Sequence, residues 1–230
     1  MAKISKKLKA SYESFDKDKA YSIEEAIVLV KKVAYEKFDP AIEASFNLNL
    51  DTTQAEQQLR GSIVLPNGTG RSAKVLVIGE QADQDIALAA GADHVGNMEI
   101  MEKVSAQNWF DFEFIVTTPL MMPKLAKFGR LLGPKGLMPN PKLGTVTTDI
   151  KTAVENIKKG QLEYRTDKEG IISLSIGKKS FKNELLVENF TAIYDLIKSL
   201  RPHTIKGTYI NNISISTTMG PGIKVNGQVK

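Results

Sequence analysis

The 230-residue chain has no cysteine, so it has no disulfide framework, thiol nucleophile or thiolate metal site. It has two histidines, His94 and His203, and neither has a second ligand at metal spacing, so both read as structural. No apolar run approaches the roughly 18 residues of a membrane span, and no secretory core follows the basic start MAKISKKLKA. A cytoplasmic protein with no membrane association is expected. Charge of one sign is scarce too: 31 basic against 26 acidic side chains leave a net +5. That favours a polyanionic partner without establishing one. Hydrophobic residues at 42% and charged residues at 25% describe an ordinary globular mixture, which excludes disorder.

Local clusters say more than the total. Lys3, Lys6, Lys7 and Lys9 form a basic start, and Pro123–Leu143 carries Lys124, Lys127, Arg130, Lys135 and Lys142 with no acid. The first suits a solvated face as well as a binding one. The second sets five unopposed charges in a Gly/Pro-rich loop.

Ser22 and Glu25 have capping-box spacing, and Ile23, Ala26, Ile27, Val30 and Ala34 recur at helical period behind them. Residues 41–50 alternate strictly: Ile42, Ala44, Phe46, Leu48 and Leu50 on one face; Glu43, Ser45, Asn47 and Asn49 on the other. Residues 62–65 read as a second strand. The rhythm then changes. Continuous apolar strands at 74–78 and 112–117 alternate with helices at about 82–90, 99–107 and 149–159, the pattern of a parallel sheet covered on both faces. From Gly160 the first style returns, with strands at 162–165 and 171–176, a helix at about 183–200, and a strand at 208–218. The last of these sets Ile213 and Ile215 against Asn212, Ser214, Ser216 and Thr218. The expected fold is α/β with two domains: a discontinuous α/β domain of residues 1–68 and 160–230, and an inserted domain of residues 69–159 with a parallel sheet.

Catalytic signatures fail on context. Gly68-x-Gly70-x-x-Ala73 leads into a strand where a dinucleotide motif must open a helix. Gly129–Gly136 lacks the glycine spacing and Lys-Ser/Thr pair of a phosphate loop. No carboxylate pair is set in an apolar pocket by sequence alone. A non-enzyme without a cofactor is therefore expected, against the rival of a nucleotide- or sugar-phosphate enzyme on the middle domain. Ser214–Gly222 gathers hydroxyls, a flexible Met219 and two glycines at one strand end. Such a segment can contact phosphate and ribose hydroxyls, but its composition alone favours a Ser/Thr-rich strand ending in a plain Gly-Pro turn.

KFDPAIEASFNLNLD (37–51), QLRGSIVLPNGTGR (58–71), GRLLGPKGLMPNPKLGTV (129–146), EYRTDKEGII (163–172) and SISTTMGPG (214–222) together resemble the bacterial large-subunit ribosomal protein L-one family, in its order and spacing, over essentially the whole chain. The resemblance implies a Rossmann-like inserted domain at 69–159, binding to the stalk region of large-subunit ribosomal RNA, and help in releasing deacylated tRNA from the exit site. It also implies repression of the protein's own operon through leader mRNA, and leaves as an alternative a dedicated messenger repressor acting off the ribosome. It gives Lys37 as a phosphate contact, Phe38 as packing beside the RNA backbone and Glu43 as an acceptor for a ribose hydroxyl or base amino group. Thr217, Thr218, Met219 and Gly220 match the signature that enters the minor groove, and Asp167 and Lys168 match a turn near the RNA. Ser216 joins them from the polar face of its strand. Asn47 and Ala41 depart from the residues frequent in the family, so no contact is expected at Ala41 and an uncharged, weaker one at Asn47.

Overall fold

A computed structural model describes residues 6–107 and 109–226. Lys3 and the side chain of Lys6, both in the basic start, lie outside the described part. In chain order the elements are α1 (Lys6–Glu13), α2 (Ile23–Val33), β1 (Ala41–Leu48), β2 (Arg60–Val64), β3 (Val75–Ile78), α3 (Gln81–Ala89), β4 (His94–Gly96), α4 (Met98–Gln107) and β5 (Phe114–Thr117). There follow α5 (Met122–Leu125), α6 (Gly129–Leu132), α7 (Ile150–Lys158), β6 (Gln161–Arg165), β7 (Ile171–Lys178), α8 (Asn183–Ser199), β8 (Ile210–Thr217) and β9 (Ile223–Val225). Two compact units result, one from the chain up to Gly70 and from Tyr164 onward, the other Arg71–Glu163.

The first unit is an antiparallel sheet in the order β7-β1-β8-β9. Its buried face is the apolar half of the alternation: Ile42, Ala44, Phe46 and Leu48 from β1, Ile172, Leu174 and Ile176 from β7, Ile213 and Ile215 from β8. Helices α2 and α8 supply the opposing layer, and Phe46 stacks on Phe190 with ring centroids 5.7 Å apart. Each such large side chain removed from water stabilises the unit by about 1.5–3 kcal/mol. Helix α2 begins where its cap dictates, Glu25 N–H donating to Ser22 Oγ at 3.3 Å and Ser22 N–H to Glu25 Oε2 at 3.2 Å. Lys31 and Lys32 in its last turn complement the helix dipole.

The second unit is a three-stranded parallel sheet, β4-β3-β5. Its central strand is apolar throughout because both faces are covered. Val75 and Val77 pack with Ala87 of α3 and Ile150, Val154 and Ile157 of α7. Leu76 and Ile78 pack with Met101 and Val104 of α4, Leu125 and Leu132. Several segments differ from the sequence reading, among them α1, which forms where only a basic cluster was read. The turn at Gly91–Asp93 opens into β4, too short at three residues to show a period. A helix is expected to begin after the 112–117 strand and α5 is there, one turn long, while the Pro123–Leu143 stretch, read as a loop, also contains the short helix α6; Leu125 and Leu132 are fully buried anchors. Past the Gly-Pro turn, β9 returns to pair with β8, Ser214 opposite Lys224.

Asp93 ties this unit together. Its Oδ2 accepts from Val75 N–H at 2.8 Å and pairs with Lys158 Nζ at 2.6 Å. Burial works to raise its carboxyl, but the Lys158 and Val75 hydrogen bonds and the neighbouring positive charge hold it below its ordinary value. A carboxyl depressed in the folded state stabilises above its unfolded value, and the contribution is lost as pH falls through the folded one. Asp93→Asn should therefore destabilise the protein by about 1 kcal/mol at pH 7. The gap to wild type should close below about pH 4, read by denaturant unfolding across pH. A chain ending at Glu163 removes both neighbours of β1 and should show no cooperative unfolding of the first unit by circular dichroism; a folded first unit in that fragment would refute the pairing's necessity.

Candidate nucleic-acid interface

With α2 and α8 on one face of the antiparallel sheet, the other face carries the polar half of each strand. β1 is antiparallel to both neighbours, and the register lines up three rows: Ser175, Glu43, Ser216; Ser173, Ser45, Ser214; Ile171, Asn47, Asn212. Lys224 extends the middle row from β9. Ser45 and Ser173 share a hydrogen bond of 2.9 Å between their hydroxyls. The sequence reading needed the strands at 41–50 and 208–218 to be neighbours for one polar surface to form, and β1 and β8 are paired. It missed Ser173 and Ser175, although the alternation in IISLSIG contains them.

At the Ala41 end of β1 two loops meet. Thr218 N–H donates to Ala41 O at 3.2 Å, Met219 N–H to Glu36 Oε1 at 3.2 Å and the Tyr35 hydroxyl to Met219 O at 2.6 Å. Phe38 and Met219 are each 57% exposed, large apolar groups held out into solvent. Lys37 is exposed between Glu36 and Phe38. Asp39 fixes the far side of the loop, accepting from Ser180 N–H at 3.0 Å and Ser180 Oγ at 2.8 Å. Thr217 does not join the polar face. It continues the Ile213 and Ile215 side of β8, is 3% exposed, and donates its hydroxyl to Glu36 Oε1 at 2.7 Å. Thr218 is exposed, and Ser216 and Glu43 are half-buried. Gly220 closes the turn, its N–H donating to Thr217 O at 3.0 Å, and a Cβ there would lie 2.2 Å from Thr217 Oγ1.

Asp167 and Lys168 sit elsewhere. Leu48 N–H, at the other end of β1, donates to Gly170 O at 3.1 Å, so their turn lies about 23 Å along the strand from the Thr217–Gly220 turn. Asp167 Oδ1 accepts from Glu169 N–H at 2.9 Å and Ile171 N–H at 2.8 Å, which makes it the organiser of its own turn. Gly170 there has φ +78°, and a Cβ would lie 2.9 Å from Leu48 O. Lys168 is exposed, and its carbonyl accepts the Thr52 hydroxyl at 2.7 Å. The two clusters bracket the same polar face from opposite ends.

In the second unit, the helix following β3 meets its own carboxylate: Glu80 N–H donates to Asp83 Oδ2 at 3.2 Å. Two acids at a helix N-terminus oppose a phosphate. The five basic side chains of Pro123–Leu143 are exposed, and Lys135 Nζ stands 3.9 Å from the Phe110 ring centroid. His94 packs edge-on to Trp109 at 4.8 Å, and His203 is exposed. Among the described residues no group of three or more His, Asp or Glu side chains could hold a metal ion, and no helix is long and apolar enough to cross a membrane.

The family described as "Ribosomal protein L1p/L10e family" matches residues 30–221. The chain is 55% identical over 225 residues to the large ribosomal subunit protein uL1 of Mesoplasma florum, covering 98% of this chain and 99% of that one. It is 53% identical to that of Mycoplasma capricolum, with the same coverage, and 52% identical to that of Streptococcus thermophilus, covering 98% of each.

The contact at Gly220 yields a direct test. Gly220→Ala must push the Thr217 hydroxyl off Glu36 and should cost about 1–2 kcal/mol in denaturant unfolding. In a Thr217→Ala background the obstruction is gone, so the same substitution should cost little. Equal costs in both backgrounds would show that Gly220 is needed for another reason.

Proposed function

From the premise that the chain belongs to the ribosomal protein L1p/L10e family, and not to an enzyme family, we propose that it is a structural constituent of the large ribosomal subunit. It binds the stalk region of large-subunit ribosomal RNA. The discontinuous domain, residues 1–68 with 160–230, does the binding, and the inserted Rossmann-like domain, residues 69–159, accompanies it. The observation that carries this reading is the meeting of Lys37-Phe38 with Thr217–Gly220 at one edge of a hydroxyl-lined sheet. Folded RNA displays 2′-hydroxyls and base edges in a wide, shallow minor groove, and serine and asparagine side chains both donate to and accept from them. Lys37 meets a phosphate, Phe38 and Met219 lie against apolar sugar and base edges, and Glu43 accepts from an amino group or ribose hydroxyl. Ser216 and Thr218 contribute hydroxyls, Thr217 acts from behind the surface, and Gly220 permits the turn. Asp167 and Lys168 reach the RNA at the far end of the face, Asp167 by shaping the turn and Lys168 by its charge.

The same reading extends to two further partners. Moving with the stalk, the protein assists the release of deacylated tRNA from the exit site. A leader mRNA that presents the same folded site competes for the same surface, which makes the protein a translational repressor of its own operon. The modest charge supports selectivity of this kind, since a face that reads shape and hydroxyls depends less on phosphate neutralisation than a basic coat does.

The test is affinity for a stalk-region RNA fragment against a scrambled duplex, titrated with salt. With about four to six phosphate contacts, affinity should fall about a hundredfold between 50 and 200 mM salt while preference for the stalk fragment persists. Lys37→Ala should flatten the salt dependence by about one contact, and Met219→Ala should weaken binding about tenfold with an unchanged melting temperature. Equal affinity for both RNAs would overturn the reading.

A further inference from the structure

Both polar ends of the Met219 peptide are gripped by one dipeptide. Its N–H donates to Glu36 Oε1 and its carbonyl accepts the Tyr35 hydroxyl. The same Glu36 oxygen takes the Thr217 hydroxyl, while Glu36 Oε2 is buried with no hydrogen-bond partner. A carboxylate with one oxygen doubly engaged and the other buried unpaired is poorly arranged for stability alone. As a negative charge at the edge of a surface for a polyanion, it is equally poorly arranged for attraction. What the arrangement does achieve is mechanical. Residues 35 and 36 hold the Met219 backbone, and residues 37 and 38, next along the chain, are the exposed Lys37 and Phe38. The clamp therefore fixes the two apolar prongs, Phe38 and Met219, relative to each other.

We propose that Tyr35 and Glu36 are positioning residues that lock the Thr217–Gly220 turn to the Lys37-Phe38 loop, so that RNA meets a pre-ordered edge. This rests on the RNA-binding reading above. Without the clamp, ordering four turn residues and two long side chains would be charged against binding.

Charge and positioning predict opposite signs for one variant, which makes the test decisive. Glu36→Ala removes an anion from the neighbourhood of a polyanion, so electrostatics alone calls for tighter binding of the stalk-region RNA fragment. Positioning calls for about tenfold weaker binding. Tyr35→Phe, which changes no charge, should weaken binding about threefold to tenfold, and Glu36→Gln, which keeps an acceptor oxygen, should bind close to wild type. In all three the slope of log affinity against log salt should stay at the wild-type value, because no phosphate contact is lost. Hydrogen exchange at the Met219 amide in the free protein should accelerate at least about tenfold in Glu36→Ala.

Unchanged or tighter binding by Glu36→Ala would overturn the proposal, as would a Met219 amide that exchanges at the wild-type rate. Should Glu36→Ala fail to fold, Tyr35→Phe decides, and wild-type affinity there overturns it. The RNA-binding reading fails separately, if Met219→Ala and Lys37→Ala both bind as wild type does.

Discussion

Everything at the candidate interface depends on β1 being paired on both sides by strands from the far end of the chain. A strand has a side-chain period of two, so once Ile42, Ala44 and Phe46 are committed to the core beneath α8, Glu43, Ser45 and Asn47 must face outward. The same commitment in β7 and β8 leaves serines on their outer positions, and antiparallel register sets these against one another in rows. The polar surface is thus the obverse of the core. A slip of one residue in either pairing would bury Glu43 and expose Phe46, so the hydrophobic demand of the core also sets the chemistry of the face.

That dependence explains why so much of the first unit is legible in the sequence and why the rest is not. Alternation is a local signal, and 41–50 and 208–218 carried it over enough residues to give both strands and their faces. Continuous apolar runs with helical stretches between them gave the parallel sheet of the second unit. Adjacent strands were a condition the sequence could pose but not decide, since pairing between residues more than 160 positions apart leaves no local trace. β4 and β9 were missed because three residues show no period, and α6 because Gly and Pro around it read as loop.

The site residues divide along the same line. Lys37, Phe38 and Met219 were legible because a motif carried them, and their exposure fits that role. Thr217 was grouped with its neighbours by the motif, but parity puts its side chain inside: it continues the series of Ile213 and Ile215, so strand geometry separates it from Ser216 and Thr218. Asp167 was also named as a contact, yet its carboxylate is engaged by two backbone N–H groups of its own turn. Tyr35 and Glu36 escaped notice because nothing in a sequence marks side chains whose partners are a backbone carbonyl 184 and a backbone N–H 183 residues away.

A surface built this way has few charges and must gain selectivity from order. Hydroxyl and amide contacts are individually weak, about 0.5–1.5 kcal/mol each in net terms, and a single freely rotating side chain can lose as much on being fixed. Such a face discriminates only if its donors and acceptors are held before the ligand arrives. The strands provide that for Ser45, Ser173, Ser214 and Asn47 through the sheet ladder. The turn beyond β8 has no ladder to hold it: the β1–β8 pairing ends at Ile42 and Thr217, and past that point Thr218 to Gly220 are held by hydrogen bonds to Ala41, Glu36, Tyr35 and Thr217. Where the two exposed apolar groups stand, side chains from the 34–40 loop therefore replace the hydrogen bonds that a longer strand would have made.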